Sequence, residues 1–160
     1  MRFAFVDRIV TAEPHRRIET SKTVSGLEDV FADHFPGYPV LPGALVVEAF
    51  AQAAQLLIGL SQGFAQVGRL RGLSRVAFRH QVRPGDRLAI RCERRVGEAA
   101  WVLDATALVD GRRVAAATLE YALESAEPGT EGGLHAERLR ALARELERAP
   151  AETATGGGDE

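Results

Sequence analysis

Polar and apolar positions change period twice along this chain. Phe3–Val10 and Arg17–Ser25 read as strands separated by Glu13-Pro14, and Gly26-Leu27-Glu28-Asp29-Val30-Phe31 reads as a short helical turn. From Gly43 to Leu60 the run has the length of a globular helix, and apart from its terminal glycines its polar residues are Glu48, Gln52 and Gln55. At about 100° per residue these three share an arc of roughly 60°, with Gly59 on the same line. A helix apolar on every side but one thin stripe belongs inside a protein, with the stripe turned to a cavity or a polar partner. After a connector at Gly63–Gly68 a period of two returns. Gly72–Val82, Arg87–Val96, Ala100–Val109 and Arg112–Leu123 read as strands, punctuated by Pro84-Gly85-Asp86, Gly97-Glu98 and Asp110-Gly111.

Short connections make neighbouring strands antiparallel, so the second half is expected to be a meander. The helix must then bury nearly its whole circumference, which a flat sheet on one side does not achieve. The pattern predicts an α+β fold in which a long central helix is wrapped by a strongly curved antiparallel sheet, with the remaining exposure closed by a second copy of the chain. Residues 1–124 make up this domain. Residues 125–133 are a linker by composition, and residues 134–149 carry Leu139, Leu142, Leu146 and Ala149 at helical spacing among charged side chains, which predicts an amphipathic helix. Residues 150–160 are expected to be a disordered tail.

The length of 160 residues and 46% apolar content suit one domain with a real core. A single cysteine, Cys92, excludes an intramolecular disulfide, and Met1–Asp7 has no signal-peptide pattern, so a cytosolic (cytoplasmic) protein is expected. Cys92 lies in a strand-like run and is read as a small core or face residue rather than a nucleophile. The Gly43–Leu60 run approaches the length of a membrane span, but its Glu, two Gln and terminal glycines favour a core helix over lipid. Charge divides along the chain: residues 1–124 hold sixteen Arg+Lys against fourteen Asp+Glu, and residues 125–160 hold four against eight. Arg69, Arg71, Arg75, Arg79, Arg83 and Arg87 recur at even spacings, which on one strand would put them on one face. A solvated sheet face and a docking patch for an acidic partner both fit this row. No basic helix or interleaved aromatic platform points to nucleic acid.

The chemistry concentrates in His34-Phe35-Pro36-Gly37-Tyr38-Pro39-Val40-Leu41-Pro42-Gly43, which feeds the helix carrying Glu48. Three prolines and two glycines within eight residues leave this loop few shapes to sample, so it can hold His34 still. A lone Glu on an apolar helix is most often a buried acid satisfied locally, and a lone His is most often structural. The pair, the stiff loop and the polar stripe together point instead to acid–base chemistry on an apolar substrate. No cluster of His, Cys and acids has metal-ligand spacing, and no cofactor is implied.

His34-Phe35-Pro36-Gly37-x-Pro39-Val40-x-Pro42-Gly43, followed by Glu48-Ala49-x-Ala51-Gln52, resembles the signature of the FabZ-type β-hydroxyacyl-acyl-carrier-protein dehydratases. Phe5-Val6-Asp7-Arg8-Ile9 looks like that family's opening strand. Val76-Ala77-Phe78-Arg79 and Val82-x-Pro84-Gly85-Asp86 are similar to its later sheet, so the likeness spans about residues 3–123. Two departures stand out: Asp33 replaces the usual Gly before the motif His, and the basic-aromatic lead-in to the opening strand is missing.

The resemblance implies a hot-dog fold and a site shared across a homodimer, with His34 of one protomer facing Glu48 of the other, and further assembly as a trimer of dimers. It implies dehydration of a 3-hydroxyacyl thioester on acyl carrier protein to the trans-2-enoyl thioester, in fatty acid or related lipid or polyketide biosynthesis. His34 is then the base for the α-proton, Glu48 the acid for the departing hydroxyl or the holder of a relaying water, and Gln52 orients Glu48. Gly43 offers a backbone N–H to the thioester oxygen. The acidic carrier with its phosphopantetheine arm would dock on Arg71, Arg75 and Arg79. Two other readings stay open: a hot-dog acyl thioesterase, and a non-catalytic acyl-binding or scaffold subunit of a dehydratase complex.

Overall fold

The apolar run beginning at Gly43 forms a single helix of 19 residues, and the rest of the chain is arranged around it. A computed structural model describes residues 4–26, 30–34 and 37–148, the side chains of residues 32 and 33 excepted. In chain order the elements are β1 (Arg8–Glu13), β2 (Arg17–Thr23), α1 (Val30–Asp33), α2 (Gly43–Ser61), β3 (Gln66–Phe78), β4 (Arg87–Arg94), β5 (Trp101–Val109), β6 (Arg112–Ser125) and α3 (Glu131–Arg148). Phe3 of the expected first strand, Leu27–Asp29 of the expected turn, Phe35 and Pro36 of the motif loop and the tail from residue 149 lie outside the described residues.

The six strands form one antiparallel sheet in the order β1-β2-β4-β5-β6-β3, curved around α2. Alternation sends Ile18 and Thr20, Leu88, Ile90 and Cys92, Leu103, Ala105 and Ala107, and Ala115, Ala117 and Leu119 to the buried side. Four of these, Ala105, Ala107, Ala115 and Ala117, are alanines on adjacent strands, which lets the helix lie close to the middle of the sheet. Burial pushes the Cys92 thiol up to about 12, so it stays protonated at neutral pH and serves as core. By length and composition α2 could cross a membrane, yet Phe50, Ala53, Ala54, Leu56, Leu57 and Ile58 are fully enclosed within this fold.

The expected four-strand meander is corrected in one respect. β4, β5 and β6 do form a meander, but β3 pairs with β6 at the far edge and not with β4. Arg79–Asp86 is a crossing rather than a tight turn. Leu41 N–H donates to the Val82 carbonyl (2.7 Å), Gly85 N–H to the Val24 carbonyl (2.9 Å) and Val24 N–H to the Asp86 carbonyl (2.9 Å). These bonds carry the chain past the start of α2 to the end of β2, where β4 zips on with Thr23 opposite Arg87.

The connector expected at Gly63–Gly68 is also shorter, because β3 already begins at Gln66. The first strand starts later than expected. Residues 4–6 leave the sheet to lie against α2, where Phe5 N–H donates to Gln52 Oε1 (2.8 Å), and Phe5 and Val6 are buried.

α3 begins at Glu131, three residues ahead of the expected position. Thr130 caps it, its hydroxyl oxygen accepting from Gly133 N–H at 3.1 Å. Gly132 and Gly133 are required by close approach, since a Cβ on either would strike the Ser125 or Glu127 carbonyl. The helix buries Ala136, Leu139, Ala143 and Leu146 against α2, β1, β3 and β6, and Arg140 lies over the Phe64 ring at 5.4 Å.

The C-terminal half of α2 is therefore covered within one chain, where a second copy was expected to do so. Its N-terminal half stays partly open, with Ala44 exposed and Leu45, Val47, Glu48, Ala51 and Gln52 half-buried. Leu139→Ala should lower unfolding free energy by about 2–4 kcal/mol while the transition remains single, as measured by urea denaturation. A loss below about 0.5 kcal/mol would mean that α3 does not fold as part of this core.

Candidate active site

α1 is a single turn, and His34 follows it with its amide donating to the Val30 carbonyl (3.2 Å). Gly37 takes φ +79°, a value glycine adopts freely, and Pro42 ends the loop as the residue before α2 with φ −55° and ψ 134°. The loop is fastened from outside. The Tyr38 hydroxyl donates to Gln81 Oε1 at 2.9 Å, while the Arg83 guanidinium donates to that hydroxyl and lies 4.9 Å over the ring.

This frame sets the imidazole of His34. Nδ1 lies 3.1 Å from the Val40 carbonyl oxygen, which only accepts, so Nδ1 carries the proton. In the neutral ring the lone pair is then on Nε2, the tautomer a general base needs.

His34 lines a cleft of about 470 Å³ together with Gly43, Val46, Phe78, His80 and Ala115. Its surroundings are chiefly apolar, and the first turn of α2 opens onto it. Among the described residues no side chain caps this helix end, and the amides of Gly43 and Ala44, as first-turn groups, have no intrahelical acceptor and sit at the positive end of the helix dipole. Gly43 is needed here for a second reason, because a Cβ would lie 2.6 Å from the Phe78 ring.

Glu48 faces another way. It lies about 140° round the helix from Gly43 and is not among the residues lining the His34 cleft. Gln52 Nε2 donates to Glu48 Oε1 (2.8 Å) while Gln52 Oε1 accepts from Phe5 N–H (2.8 Å). Both ends of the amide are thus engaged, and Gln52 holds the carboxylate from one turn away. Within one subunit the structure brings His34 and Gly43 together, and separately Glu48 and Gln52.

The six arginines do not share a strand face. β3 ends at Phe78, and bulges between Leu70 and Gly72 and between Ser74 and Ala77 reset its alternation, with Arg75 at φ +51°. A strand of 13 residues that follows a curved sheet has to bend, and the bulges supply the bend. Arg69 pairs with Glu124, Arg83 with Tyr38, and Arg71 lines a different cleft together with Arg94 and Trp101. Of the three docking candidates only Arg79 lines the His34 cleft. Among the described residues no group of three or more His, Cys, Asp or Glu side chains converges as a metal site.

Comparison with known proteins decides the family. The FabA-like domain matches residues 1–118. The 3-hydroxyacyl-[acyl-carrier-protein] dehydratase FabZ of Thermus thermophilus is 41% identical over 131 residues, covering 78% of this chain and 89% of that protein. The FabZ of an Anaeromyxobacter species is 43% identical over 122 residues, covering 72% and 77%. This chain belongs to the FabZ-type dehydratase family.

A hot-dog-like protein from Thermanaerovibrio acidaminovorans superposes with a TM-score of 0.59 at 18% identity, covering 79% of this chain and 89% of that one, which shows the same fold. The matched family domain ends inside β6, so α3 is an addition to the FabZ-type core.

Sequence reading overlooked Phe78 and His80 as cleft residues and the Tyr38–Arg83 clamp as the loop's fastening. Phe78 and His80 lie more than 40 residues from His34 and enter the cleft only because β3 runs back along α2, and Tyr38 and Arg83 are 45 apart in sequence. No local pattern announces either. Gln52→Leu, which strands both the Phe5 amide and one carboxylate oxygen, should cost about 1–3 kcal/mol in urea unfolding. An unchanged midpoint would show that this bridge does not hold Glu48.

Proposed function

We propose that this protein removes water from 3-hydroxyacyl thioesters on acyl carrier protein, giving the trans-2-enoyl thioester, in cytosolic fatty acid biosynthesis. The observation that carries the reading is a histidine whose Nδ1 is committed to the Val40 carbonyl, set in an apolar cleft beside the unpaired amides at the start of α2. The sequence relatives are dehydratases of this class.

His34 Nε2 takes a proton from C2, and negative charge moves to the thioester oxygen. The Gly43 and Ala44 amides, fixed in advance at the helix end, stabilise that charge. The C3–O bond breaks as Glu48 protonates the leaving hydroxyl, the C2–C3 double bond forms, and water departs. Transfer of the proton from His34 back to Glu48 resets the site.

A second copy of the chain supplies Glu48. β3 is an edge strand whose outer side exposes Leu70, Leu73, Val76 and Phe78 at 41%, 44%, 39% and 54%, a length of apolar edge that soluble proteins pair or cover. Pairing there would also cover the open half of α2. The resulting homodimer has the two-fold symmetry expected of a shared site, and such dimers would assemble further as a trimer of dimers.

His34→Ala and Glu48→Gln should each lower kcat roughly a hundred- to ten-thousand-fold in folded protein, read as enoyl absorbance. Mixing the two variants under subunit exchange should restore turnover, because a mixed dimer has one intact pair. No recovery after exchange would overturn the shared site.

The carrier docks through basic residues of β3 and the crossing after it, Arg79 at the cleft's rim and Arg75 and Arg71 progressively farther along β3. Replacing these arginines with alanine should raise KM several-fold for carrier-linked substrate and leave pantetheine thioesters unaffected. Equal effects on both would rule out a docking role.

A further inference from the structure

Among the described residues four polar side chains line the His34 cleft: His34 itself, Arg79, His80 and Gln81. Hydrogen bonds fix two of them at the side chain, His34 through the Val40 carbonyl and Gln81 through Tyr38 and Arg83. The backbone on either side of Gln81 is pinned as well. Arg79 N–H donates to the Val114 carbonyl (2.7 Å), and the Val82 carbonyl accepts from Leu41 N–H (2.7 Å).

The direction of the Gln81 amide follows from its neighbours. A guanidinium only donates, so the Gln81 atom 3.1 Å from the Arg83 Nη2 is the carbonyl oxygen. The Tyr38 hydroxyl, which accepts from Arg83, gives its one proton to that same oxygen at 2.9 Å. With two donors on Oε1, the amide cannot flip without losing both bonds. Its Nε2 is left with two N–H donors and no protein acceptor among the described residues.

We propose that Gln81 Nε2 donates to an amide carbonyl of the substrate's pantetheine arm, with Tyr38 and Arg83 as the positioning residues that keep the donor end presented. This role rests on the dehydratase reading and deepens it. The first amide of that arm stands two methylenes beyond the thioester sulfur, and a cleft of about 470 Å³ is large enough to hold both groups. Its walls are chiefly apolar, with Val46, Phe78 and Ala115 among them. A carbonyl taken from water into such a place needs a new donor, or it loses a hydrogen bond that nothing returns. The helix-start amides are taken by the thioester oxygen. Gln81 offers the next donor, and because its side chain is already fixed it loses little rotamer freedom on binding.

The test uses two 3-hydroxybutyryl thioesters that differ at one place. The N-acetylcysteamine thioester carries the amide, and the 4-methylpentyl thioester puts carbon where the amide nitrogen and oxygen stand. Each is read as kcat/KM from enoyl absorbance, or as a competitor of the carrier-linked substrate where its own turnover is slow. Gln81→Glu keeps an oxygen for Tyr38 and Arg83 and loses the donor. It should lower the ratio of amide to alkyl kcat/KM about three- to tenfold from the wild-type ratio. Gln81→Leu, which removes both ends of the amide, should lower that ratio by a similar factor.

An unchanged ratio in either variant would overturn the donor role whatever happens to the absolute rates, because a side chain that only braced the loop would act on the two compounds alike. Failure of wild type to dehydrate even the carrier-linked 3-hydroxybutyryl thioester would instead overturn the dehydratase reading, and the donor role with it.

Discussion

Everything in this molecule follows from the need to enclose α2. Of its 19 residues only three carry polar side chains before the terminal Ser61, so no arrangement that leaves the helix on a surface is stable in water. A flat sheet would cover one side. Curvature extends the cover, and the curved sheet is possible because its inner face is lined by alanines where the helix is nearest and by Leu, Ile and Trp farther out. The bulges in β3 belong to the same requirement, since an edge strand of that length must bend to follow the curve. Even Phe5 is recruited, leaving the sheet to give its amide to Gln52.

Enclosure is uneven, and the unevenness locates the chemistry. α3 seals the C-terminal half of α2, while at the N-terminal half the free amides, the His34 loop and the Glu48 stripe all remain reachable. A helix start is the end that stabilises developing negative charge, and it is the end left open. The loop that brings His34 there is held at three independent points: the Val40 carbonyl on the ring, the Val82 carbonyl on Leu41 and the Tyr38–Arg83 clamp. Redundant fastening of this kind fixes a side chain without requiring the segment to belong to a helix or a strand.

The parts of this design that were legible in the sequence are those with a local cause. The buried helix announced itself by its composition, the stiff loop by its prolines, and the Gln52 support by its four-residue spacing from Glu48. What could not be read has a non-local cause. The place of β3 depends on the crossing at Arg79–Asp86 choosing β2 rather than β3 as the partner of β4, a choice made by the bonds of Val24, Gly85 and Leu41. The even spacing of the arginines suggested a single face, and the bulges that undo it have no signature beyond Gly72 and the unusual backbone at Arg75. His80 and Phe78 reached the cleft by the same route, through a strand direction that periodicity does not encode.

α3 adds cover to the C-terminal half of α2 without lining the His34 cleft. Its amphipathic pattern was plain in the sequence, but the face it would cover was not, because the docking depends on Gly132 and Gly133 allowing the helix to turn tightly against the carbonyls that close β6. Once turned, its apolar side meets the half of α2 that the sheet leaves bare, and its polar His135 falls beside Gln55 at the end of the same stripe that begins with Glu48.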